Sequence, residues 1–447
     1  MNTINYGRLA EVQRINTSAI NTMKSATNRD LWYINSLVDL NSDIEVTDKQ
    51  KQEIIEFWKP YEFAYKNNIE TQIAFYKQSG VFDPSYIGFG LQRHSLVRFW
   101  NNETFSTFRN KNYSRLLFPF LKHPINYVSN SYGVYYDKNN KLLTKEESIK
   151  KIIGILEYED ELILKPVLDS GSGVSIVFLY KNMDYKTIEQ YFDKLKENFV
   201  CQQVLKNHIS YVCGNEKALH TLRVCTLVYK NEIRLVGTVL RMSVSGRLDN
   251  WGQGGLICRV YENGVCGDFA VSEKGKKFYQ HPNGFAFAGH KLYKADEVQK
   301  IALKCHAQIP QQKYISWDLT VDDNGDIVFI EMNSPGGSEV LEAVGVNAYC
   351  NKEIAKSILD EYMIEKFFYN KAVYEWDYRE FNNHISLRRY CGDDEMVTIP
   401  TNINGKTVRI VYSDAFIGCK IKQINVPPRV HFDSKLVNND IKVVYEK

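Results

Sequence analysis

Apolar side chains recur at near-helical spacing in the first quarter of the chain. The stretch "DKQKQEIIEFWKPYEFAYKNN" carries five of them on what would be one helical face. They are Ile54, Phe57, Trp58, Tyr61 and Tyr65. Pro60 lies inside the pattern and predicts a kink or an interruption, because proline has no amide hydrogen to donate. We therefore expect residues 1–110 to form a mainly helical N-terminal region.

Short β-type segments alternate with helical ones over the following 280 residues or so. "ELILKPV", "TLRVCTLVYK", "EIRLVGTVLRM" and "GDIVFIEMN" read as strands, whereas "ESIKKIIGILE", "TIEQYFDKLKEN" and "KADEVQKIALKCHAQ" have helical periodicity. Mixed elements on this scale predict the α+β fold class. We place one subdomain at 111–215, a second at 216–390, and a small β-rich tail at 391–447.

Composition excludes several classes of protein. The 56 basic and 53 acidic side chains leave a net charge of +3, which offers no electrostatic case for nucleic acid or an acidic membrane. The nine cysteines contain no CxxC pair, so free thiols in a reducing compartment are expected. "MNTINYGRLAEVQRIN" lacks the apolar core of a signal sequence, and no apolar run approaches transmembrane length. We expect a cytoplasmic protein with no transmembrane segment.

A lysine at the end of a strand precedes a flexible loop in "LILKPVLDSGSGVSIV". Gly171 and Gly173 would let backbone amides approach phosphate oxygens, and Lys165 could reach the same phosphates as a point charge. The segment is neither a Walker A loop nor a Rossmann turn, since the required residues are missing. A simple Gly/Ser turn is the alternative.

Two strands joined by "DDNG" carry three oxygen-bearing side chains. Glu331 and Asn333 share one strand face because side chains alternate with a period of two, and Asp318 can reach that face from the partner strand. Carboxylate and amide oxygens suit Mg²⁺ bound to phosphates, and they do not suit zinc. A polar face on an edge strand is the alternative. The glycines that follow in "SPGG" would leave backbone space for a substrate.

Two arginines lie inside otherwise apolar strands. Arg223 and Arg241 each need an anionic partner there, which could be a substrate or a structural carboxylate. "RLDNWGQGG" then supplies Asp249, Asn250 and a Gly-rich loop. His281 precedes Pro282 in a loop, where a surface role is commoner than a functional one.

The motifs "HTLRV", "LDNWGQGG", "QHPNG", "SWDLT" and "FIEMN" stand in an order that resembles the ATP-grasp superfamily. The likeness is greatest to the sugar-transfer-associated branch found in polysaccharide-biosynthesis loci, and it covers roughly 100–360. It implies an ATP-grasp fold, in which two α+β subdomains hold ATP between them. It also implies ATP as a substrate with two Mg²⁺ ions, for which Mn²⁺ is the alternative.

The resemblance also implies roles for individual residues. The nucleotide would be bound by Lys111, Lys165, the lid residues Ser170, Gly171, Ser172 and Gly173, and the hinge residues Gln203, Val204 and Leu205. Asp318, Glu331 and Asn333 would hold the metal ions. Arg223, Arg241 and Lys165 would act in catalysis, and Asp249, Asn250, Gly254, Gly255 and His281 would bind substrate. Many relatives have a glutamate at the hinge, where this chain has Gln202 and Gln203.

The implied activity is an ATP-dependent carboxylate–amine ligase that works through an acyl phosphate in glycan biosynthesis. Its partners would be a small-molecule, glycan or nucleotide-sugar carboxylate and an amine such as an amino acid. A kinase of a sugar or small alcohol, or a nucleotide-binding protein without ligase activity, are the alternatives. The tail "TIPTNINGKTVRIVYSDAFIGC" resembles a bacterial surface-protein leucine-rich repeat. Such a tail would pack on the catalytic domain or in a homodimer, unless it is a β appendage without specific function.

Overall fold

The computed structural model describes residues 17–101, 110–167, 175–334, 336–337, 339–367, 376–392, 394–403, 405–412, 414–417, 419–432 and 440–446. These residues fall into two compact units. The larger consists of Arg29–Gln50 and Asn68–Lys352. The smaller consists of the described residues within Met1–Asn28, Lys51–Asn67 and Glu353–Lys447.

The helices follow the predicted periodicity closely. The α-helices are Thr17–Ser36, Asp48–Trp58, Glu70–Ser79, Phe89–Leu91, Val97–Trp100, Ser114–Leu117, Lys145–Ile155, Tyr185–Leu195, Ala295–His306, Glu339–Glu342 and Lys352–Phe367. A π-helical turn spans Gln92–Leu96, and 3₁₀ turns span Lys59–Tyr61, Ile209–Tyr211 and Trp251–Gln253. The interruption predicted at Pro60 is confirmed, because the helix ends at Trp58 and a 3₁₀ turn takes its place. No helix within the described ranges combines membrane-spanning length with sufficient apolarity.

Six strands form the first sheet of the larger unit. They are β1 (Asn126–Ser131), β2 (Val134–Asp137), β3 (Leu142–Leu143), β4 (Glu161–Pro166), β5 (Val177–Tyr180) and β6 (Phe199–Gln203), in the order β3-β2-β1-β6-β4-β5. Every neighbouring pair is antiparallel. Helices Lys145–Ile155 and Tyr185–Leu195 pack their buried isoleucine and phenylalanine side chains on this sheet. A capping box between Thr144 and Glu147 begins the first helix by satisfying its exposed amides.

Seven strands form the second sheet of the same unit. They are β7 (Thr221–Tyr229), β8 (Glu232–Met242), β9 (Leu256–Val260), β10 (Cys266–Ser272), β11 (Lys277–Phe278), β12 (Tyr314–Val321) and β13 (Ile327–Asn333), in the order β11-β10-β9-β8-β7-β12-β13. One face is apolar, with Leu222, Leu240 and Trp317 in the same core as helix Ala295–His306. Strand alternation therefore directs Arg223, Arg241 and Asp318 to the opposite face.

The smaller unit contains a separate β-rich core. Its strands are β14 (Trp376–Glu380), β15 (Ile385–Tyr390), β16 (Met396–Thr398), β17 (Asn402–Ile403), β18 (Lys406–Val411), β19 (Gln423–Val426), β20 (His431–Phe432) and β21 (Lys442–Tyr445). β14 and β15 pair with each other and β15 pairs with β18, so this sheet begins before the expected boundary at 390. β16, β19 and β21 stack in parallel, as tandem repeats do. The leucine-rich-repeat resemblance stays a prediction.

Candidate active site

The β12–β13 hairpin brings the expected metal-binding side chains together. Asp318 pairs directly with Glu331, and Ser316 pairs with Asn333. A bulge follows Asp318, at the point where side-chain alternation shifts. The amide Nδ2 of Asn333 lies 3.3 Å from Oδ2 of Asp318. The predicted juxtaposition of these three side chains is therefore present.

The glycines after β13 have a structural purpose that the sequence did not indicate. A Cβ on Gly336 would collide with the Ser316 side chain on β12. A Cβ on Gly337 would lie 2.5 Å from both carboxylate oxygens of Glu339. The space that we expected for a substrate is thus occupied by neighbouring residues of the chain.

Asp318 is buried and forms ion pairs with two arginines. Its two oxygens accept hydrogen bonds from Nε and Nη2 of Arg223, at 2.8 and 2.7 Å. Nη1 of Arg241 donates to Oδ2 from 2.9 Å, and the Asp318 side chain is only 2% exposed. Burial alone would lower the pKa of Arg223, but Asp318 raises it above its ordinary value. Both arginines therefore have the structural carboxylate partner that was one of the two expectations for them.

Glu331 faces two lysines. Nζ of Lys111 lies 2.9 Å from its Oε2. Burial raises the pKa of Glu331, but the charges of Lys111, Lys165 and Arg223 together hold it well below its usual value. Burial and the nearby charge of Lys111 lower the pKa of Lys165 to about 8, while Glu331 acts in the opposite sense. Lys165 is thus a cation held in an unfavourable place, which an added polyanion would stabilise.

These charges line a single cavity of about 720 Å³ within the larger unit. The six-stranded sheet contributes Lys165 and the stretch from Gln203 to Leu205 that follows β6, and the seven-stranded sheet contributes the arginines and the metal-site residues. Apolar side chains also line the cavity. They include Ile163, Ile176, Phe178, Leu219, Leu248 and Met332. The expected hinge residues and phosphate-binding lysines therefore share one space. Ser170, Gly171, Ser172 and Gly173 lie outside the described residues.

The loop between β8 and β9 is shaped by internal hydrogen bonds. Asp249 accepts a bond from the hydroxyl of Thr221, and Nη2 of Arg241 lies 3.6 Å from its Oδ1. Asn250 caps the turn that follows it through the amide of Gly252. Both side chains line the cavity. Asp249 and Asn250 therefore lie where a substrate could reach them.

The two glycines of this loop lie elsewhere. Gly254 has a φ of +86°, and a Cβ on Gly255 would lie 2.8 Å from the carbonyl oxygens of Asn250 and Met242. Neither glycine is among the residues that line the cavity. They shape the loop, and a direct role in substrate binding stays a prediction.

His281 is buried, contrary to the surface position that its loop context favoured. Its Nε2 lies 3.2 Å from the carbonyl oxygen of Ser243, and its Nδ1 accepts from the amide of Asn283. Burial lowers its pKa. His281 is not among the residues that line the cavity. His281 thus contacts the start of the β8–β9 loop at Ser243.

Several cavity-lining residues were not anticipated from the sequence, and three of them are charged residues close to the predicted site. Arg247 stands two positions before Asp249, Glu273 follows the end of β10, and Glu339 belongs to the short helix after β13. Cross-strand pairing shows why Glu273 faces the site. Arg241 pairs with Ile257, which pairs with Val271, so Glu273 two positions later shares the face of Arg241. The position of Glu273 in the cavity could be inferred only once the register of β8, β9 and β10 was known.

The donor set is compatible with Mg²⁺. Two carboxylates and one amide converge on neighbouring strands, and these oxygen donors are the ones that hard cations prefer. Glu331 is already paired with Lys111, and Asp318 is paired with the two arginines. A bound cation would therefore compete with these side chains for the carboxylates. Within the described ranges, no three His, Cys, Asp or Glu side chains form a metal-binding group by themselves. Asn333 therefore completes the set.

Comparison with known structures finds several matches. D-alanyl-alanine synthetase A from Vibrio cholerae is 13% identical with a TM-score of 0.34, and the match covers 57% of this chain and 65% of that one. An L-amino acid ligase from Bacillus licheniformis is 15% identical with a TM-score of 0.31, covering 56% and 48%. A leucine-rich-repeat protein from T. pallidum is 22% identical with a TM-score of 0.15, covering 16% and 36%. This chain spans less than two thirds of the length of either ligase.

The family assignment comes from the sequence match. Two antiparallel sheets that share a charged cavity are the arrangement expected of an ATP-grasp protein, and the fold prediction is confirmed. The model of the sugar-transfer associated ATP-grasp family matches residues 91–348, which include both sheets. The chain therefore belongs to the sugar-transfer associated ATP-grasp family. A search of curated proteins gives no match.

Proposed function

We propose that this protein is an ATP-dependent carboxylate–amine ligase that acts through an acyl-phosphate intermediate. The observation that carries the proposal is the convergence of four cations on the Asp318–Glu331–Asn333 edge within one cavity. The cations are Lys111, Lys165, Arg223 and Arg241. This arrangement suits a polyphosphate bound together with a divalent cation.

The nucleotide would occupy the part of the cavity between the two sheets. Ile163, Phe178 and Met332 offer apolar surface to a base. The backbone from Gln203 to Leu205 follows β6 at the same cavity and offers hydrogen-bonding groups to the edge of that base. The phosphates would give Lys165 anionic partners. They would offset the burial and the repulsion from Lys111 that lower its pKa in the empty cavity.

Mg²⁺ would be held by Glu331, Asn333 and Asp318. When bound, the cation would neutralise phosphate charge and orient the transferred phosphoryl group. Lys111 and Glu331 now form a 2.9 Å ion pair. With Mg·ATP bound, Glu331 would bind the cation and Lys111 would turn to a phosphate oxygen. The two-ion stoichiometry and the Mn²⁺ alternative are part of this proposal.

The first chemical step joins the substrate carboxylate to the γ-phosphorus. An oxygen of the carboxylate attacks, the bond to the β–γ bridging oxygen breaks, and ADP leaves. Arg223 and Arg241 are shared with Asp318, so they are fixed in direction before any substrate arrives. Fixed donors aimed at developing negative charge are the main source of catalysis in such transfers.

The second step joins the amine to the acyl carbon and releases phosphate. Glu273 and Glu339 line the cavity, and neither forms an ion pair within the part of the chain that the structure describes. Burial raises the pKa of Glu273, which makes its carboxylate a stronger base. We assign these two carboxylates to the amine, whose ammonium form they would attract and deprotonate.

The wider setting extends the same proposal. The family to which the chain belongs is associated with sugar transfer, so we propose that the carboxylate or the amine is part of a glycan or a nucleotide-linked precursor. Free thiols at all nine cysteines agree with a reducing compartment such as the cytoplasm.

Product analysis tests the function. Purified protein, Mg²⁺ and ATP are incubated with pairs of carboxylates and amines. The compounds are chosen from the substrates and products of enzymes encoded by neighbouring genes. The assay measures ADP, phosphate and new amides. A ligase releases ADP and phosphate and forms an amide only when both substrates are present. A stable phosphorylated product would show a kinase instead, and no Mg·ATP binding by calorimetry would contradict both activities.

A further inference from the structure

Arg247, in the loop between β8 and β9, contacts residues of both β4 and β5. Its Nη1 and Nη2 donate to the two carboxylate oxygens of Glu161, at 2.5 and 2.6 Å. Nη1 also lies 3.2 Å from the hydroxyl of Tyr180, and the guanidinium carbon lies 3.6 Å from the centroid of the Phe178 ring. A paired fork that also stacks on a ring is specific to arginine, because a lysine offers only a point charge.

The partners of Arg247 belong to a single hairpin. Glu161 begins β4 and Tyr180 ends β5, and these two residues pair directly with each other. Lys165 lies four positions after Glu161 on β4. The hairpin that presents Lys165 to the cavity is thus held at one end by a residue from a loop of the seven-stranded sheet.

The other side of the contact is the β8–β9 loop. Arg247 precedes Asp249 and Asn250, which line the cavity, and Arg247 and Phe178 line it too. Asp249 is fixed in turn by Thr221 and Arg241. Two residues of backbone thus connect the Arg247–Glu161 contact to Asp249, and polar contacts lead from Asp249 to Arg241 and from Arg241 to Asp318.

We propose that Arg247 is a positioning residue that clamps the β4–β5 hairpin to the β8–β9 loop and so presets the position of Lys165 relative to Asp249. The inference rests on the proposed function. Without the clamp, ligand binding would have to order the hairpin, and the affinity for nucleotide would fall by that cost.

The experiment combines two measurements on the full chain. Hydrogen exchange of the nucleotide-free protein reports the clamp itself, and calorimetry with Mg²⁺ and the β,γ-imido analogue of ATP reports its consequence. The variants are Arg247→Ala, Arg247→Lys, Glu161→Ala, the double alanine variant, and the swap Arg247→Glu with Glu161→Arg. Arg234→Ala is the matched control, because Arg234 also pairs with a glutamate (Glu232) and lies over a ring (Tyr229) outside the cavity lining.

We expect faster exchange in β4, β5 and residues 243–255 for Arg247→Ala, and about tenfold weaker binding of the analogue. Glu161→Ala should match it, the double variant should lose no more, and the swap should recover part of the affinity. Arg247→Lys should resemble the alanine variant. Arg234→Ala should change neither measurement.

The outcomes separate the clamp from the function. Unchanged exchange in Arg247→Ala, or additive losses in the double variant, would overturn the clamp. Faster exchange with unchanged affinity would overturn its positioning role. A wild-type protein that shows the exchange difference against Arg247→Ala but does not bind the analogue would overturn the proposed function and leave the clamp standing.

Discussion

Arg223 and Asp318 form a bidentate ion pair on neighbouring strands, 95 residues apart in the chain. Nε and Nη2 of the arginine meet the two oxygens of the aspartate at 2.8 and 2.7 Å, and the two residues are also direct cross-strand partners. Asp318 belongs at the same time to the proposed metal edge. One buried carboxylate thus links the stability of the sheet to the chemistry proposed for the cavity.

Replacing Asp318 by Asn should lower the free energy of unfolding by about 3 kcal/mol, because two guanidinium groups would lose a buried anionic partner. Chemical denaturation of the purified variant measures this. Asp268→Asn, at an exposed position on β10 of the same sheet, is the control and should change stability by less than about 0.5 kcal/mol. Equal stability of the two variants would show that the pair contributes nothing.

Glu331→Gln should weaken the binding of Mg·ATP roughly tenfold to a hundredfold, because the substitution removes the carboxylate charge that attracts the cation. The same variant in a metal-free buffer should bind ATP at least as well as the wild type, since Lys111 would no longer be paired with a carboxylate. Titration calorimetry with and without Mg²⁺ separates the two effects. An equal loss in both buffers would contradict the metal-binding role. Glu232→Gln, on the exposed start of β8, is the control.

Lys165→Met should raise stability by about 1 kcal/mol while weakening nucleotide binding at least about tenfold. The reason is that burial and Lys111 disfavour the charged form in the empty cavity, as the pKa of about 8 indicates. Thermal unfolding and calorimetry provide the two measurements. Lys194→Met, at an exposed helical position in the same subdomain, should leave both unchanged. A loss of stability in Lys165→Met would refute the electrostatic explanation.

Glu273→Gln and Glu339→Gln should each raise the KM for the amine roughly fivefold or more, with little change in the KM for ATP. Neither carboxylate has an ion-pair partner among the described residues, so the amine would be its first. Steady-state kinetics at saturating ATP tests this. Glu262→Gln, at an exposed turn, is the control. Parallel increases in both KM values would mean that these carboxylates serve the site as a whole.

Stability should fall as the pH decreases from 6.5 to 4, in part because of His306. Burial lowers the pKa of His306 to about 4, and its Nδ1 lies 2.7 Å from the hydroxyl of Thr226, which in turn accepts from Trp317. Nε2 donates to the carbonyl of Gln312, so Nδ1 accepts the hydroxyl and must stay unprotonated. In this window the unfolded chain binds more protons, so the contribution is full above pH 6.5 and is lost as the pH falls through 4.

The variant His306→Asn isolates that contribution. Asparagine can still accept from Thr226 but does not titrate, so the difference in stability between wild type and variant should shrink by about 3 kcal/mol between pH 7 and pH 4. Denaturant unfolding at both pH values measures it. A pH-independent difference would show that His306 does not titrate on unfolding in this range.

Local pattern was sufficient for the elements and for part of the site. Alternation and the "DDNG" turn predicted the β12–β13 hairpin, and the hairpin alone places Asp318 opposite Glu331. The interruption at Pro60 followed from the chemistry of one residue. Ordered motifs identified the family over the region that its model matches. These features depend on neighbours in the chain or within one hairpin, and a sequence displays such relationships directly.

Only the tertiary structure decided which charges meet. Lys111 with Glu331, Arg223 and Arg241 with Asp318, and Arg247 with Glu161 each join segments that are distant in sequence. Burial of His281, the faces of Glu273 and Glu339, and the early start of the tail's sheet at Trp376 depended on register and packing as well. Coulomb interactions and burial act through space, and period-two or helical patterns carry no information about separations of that kind.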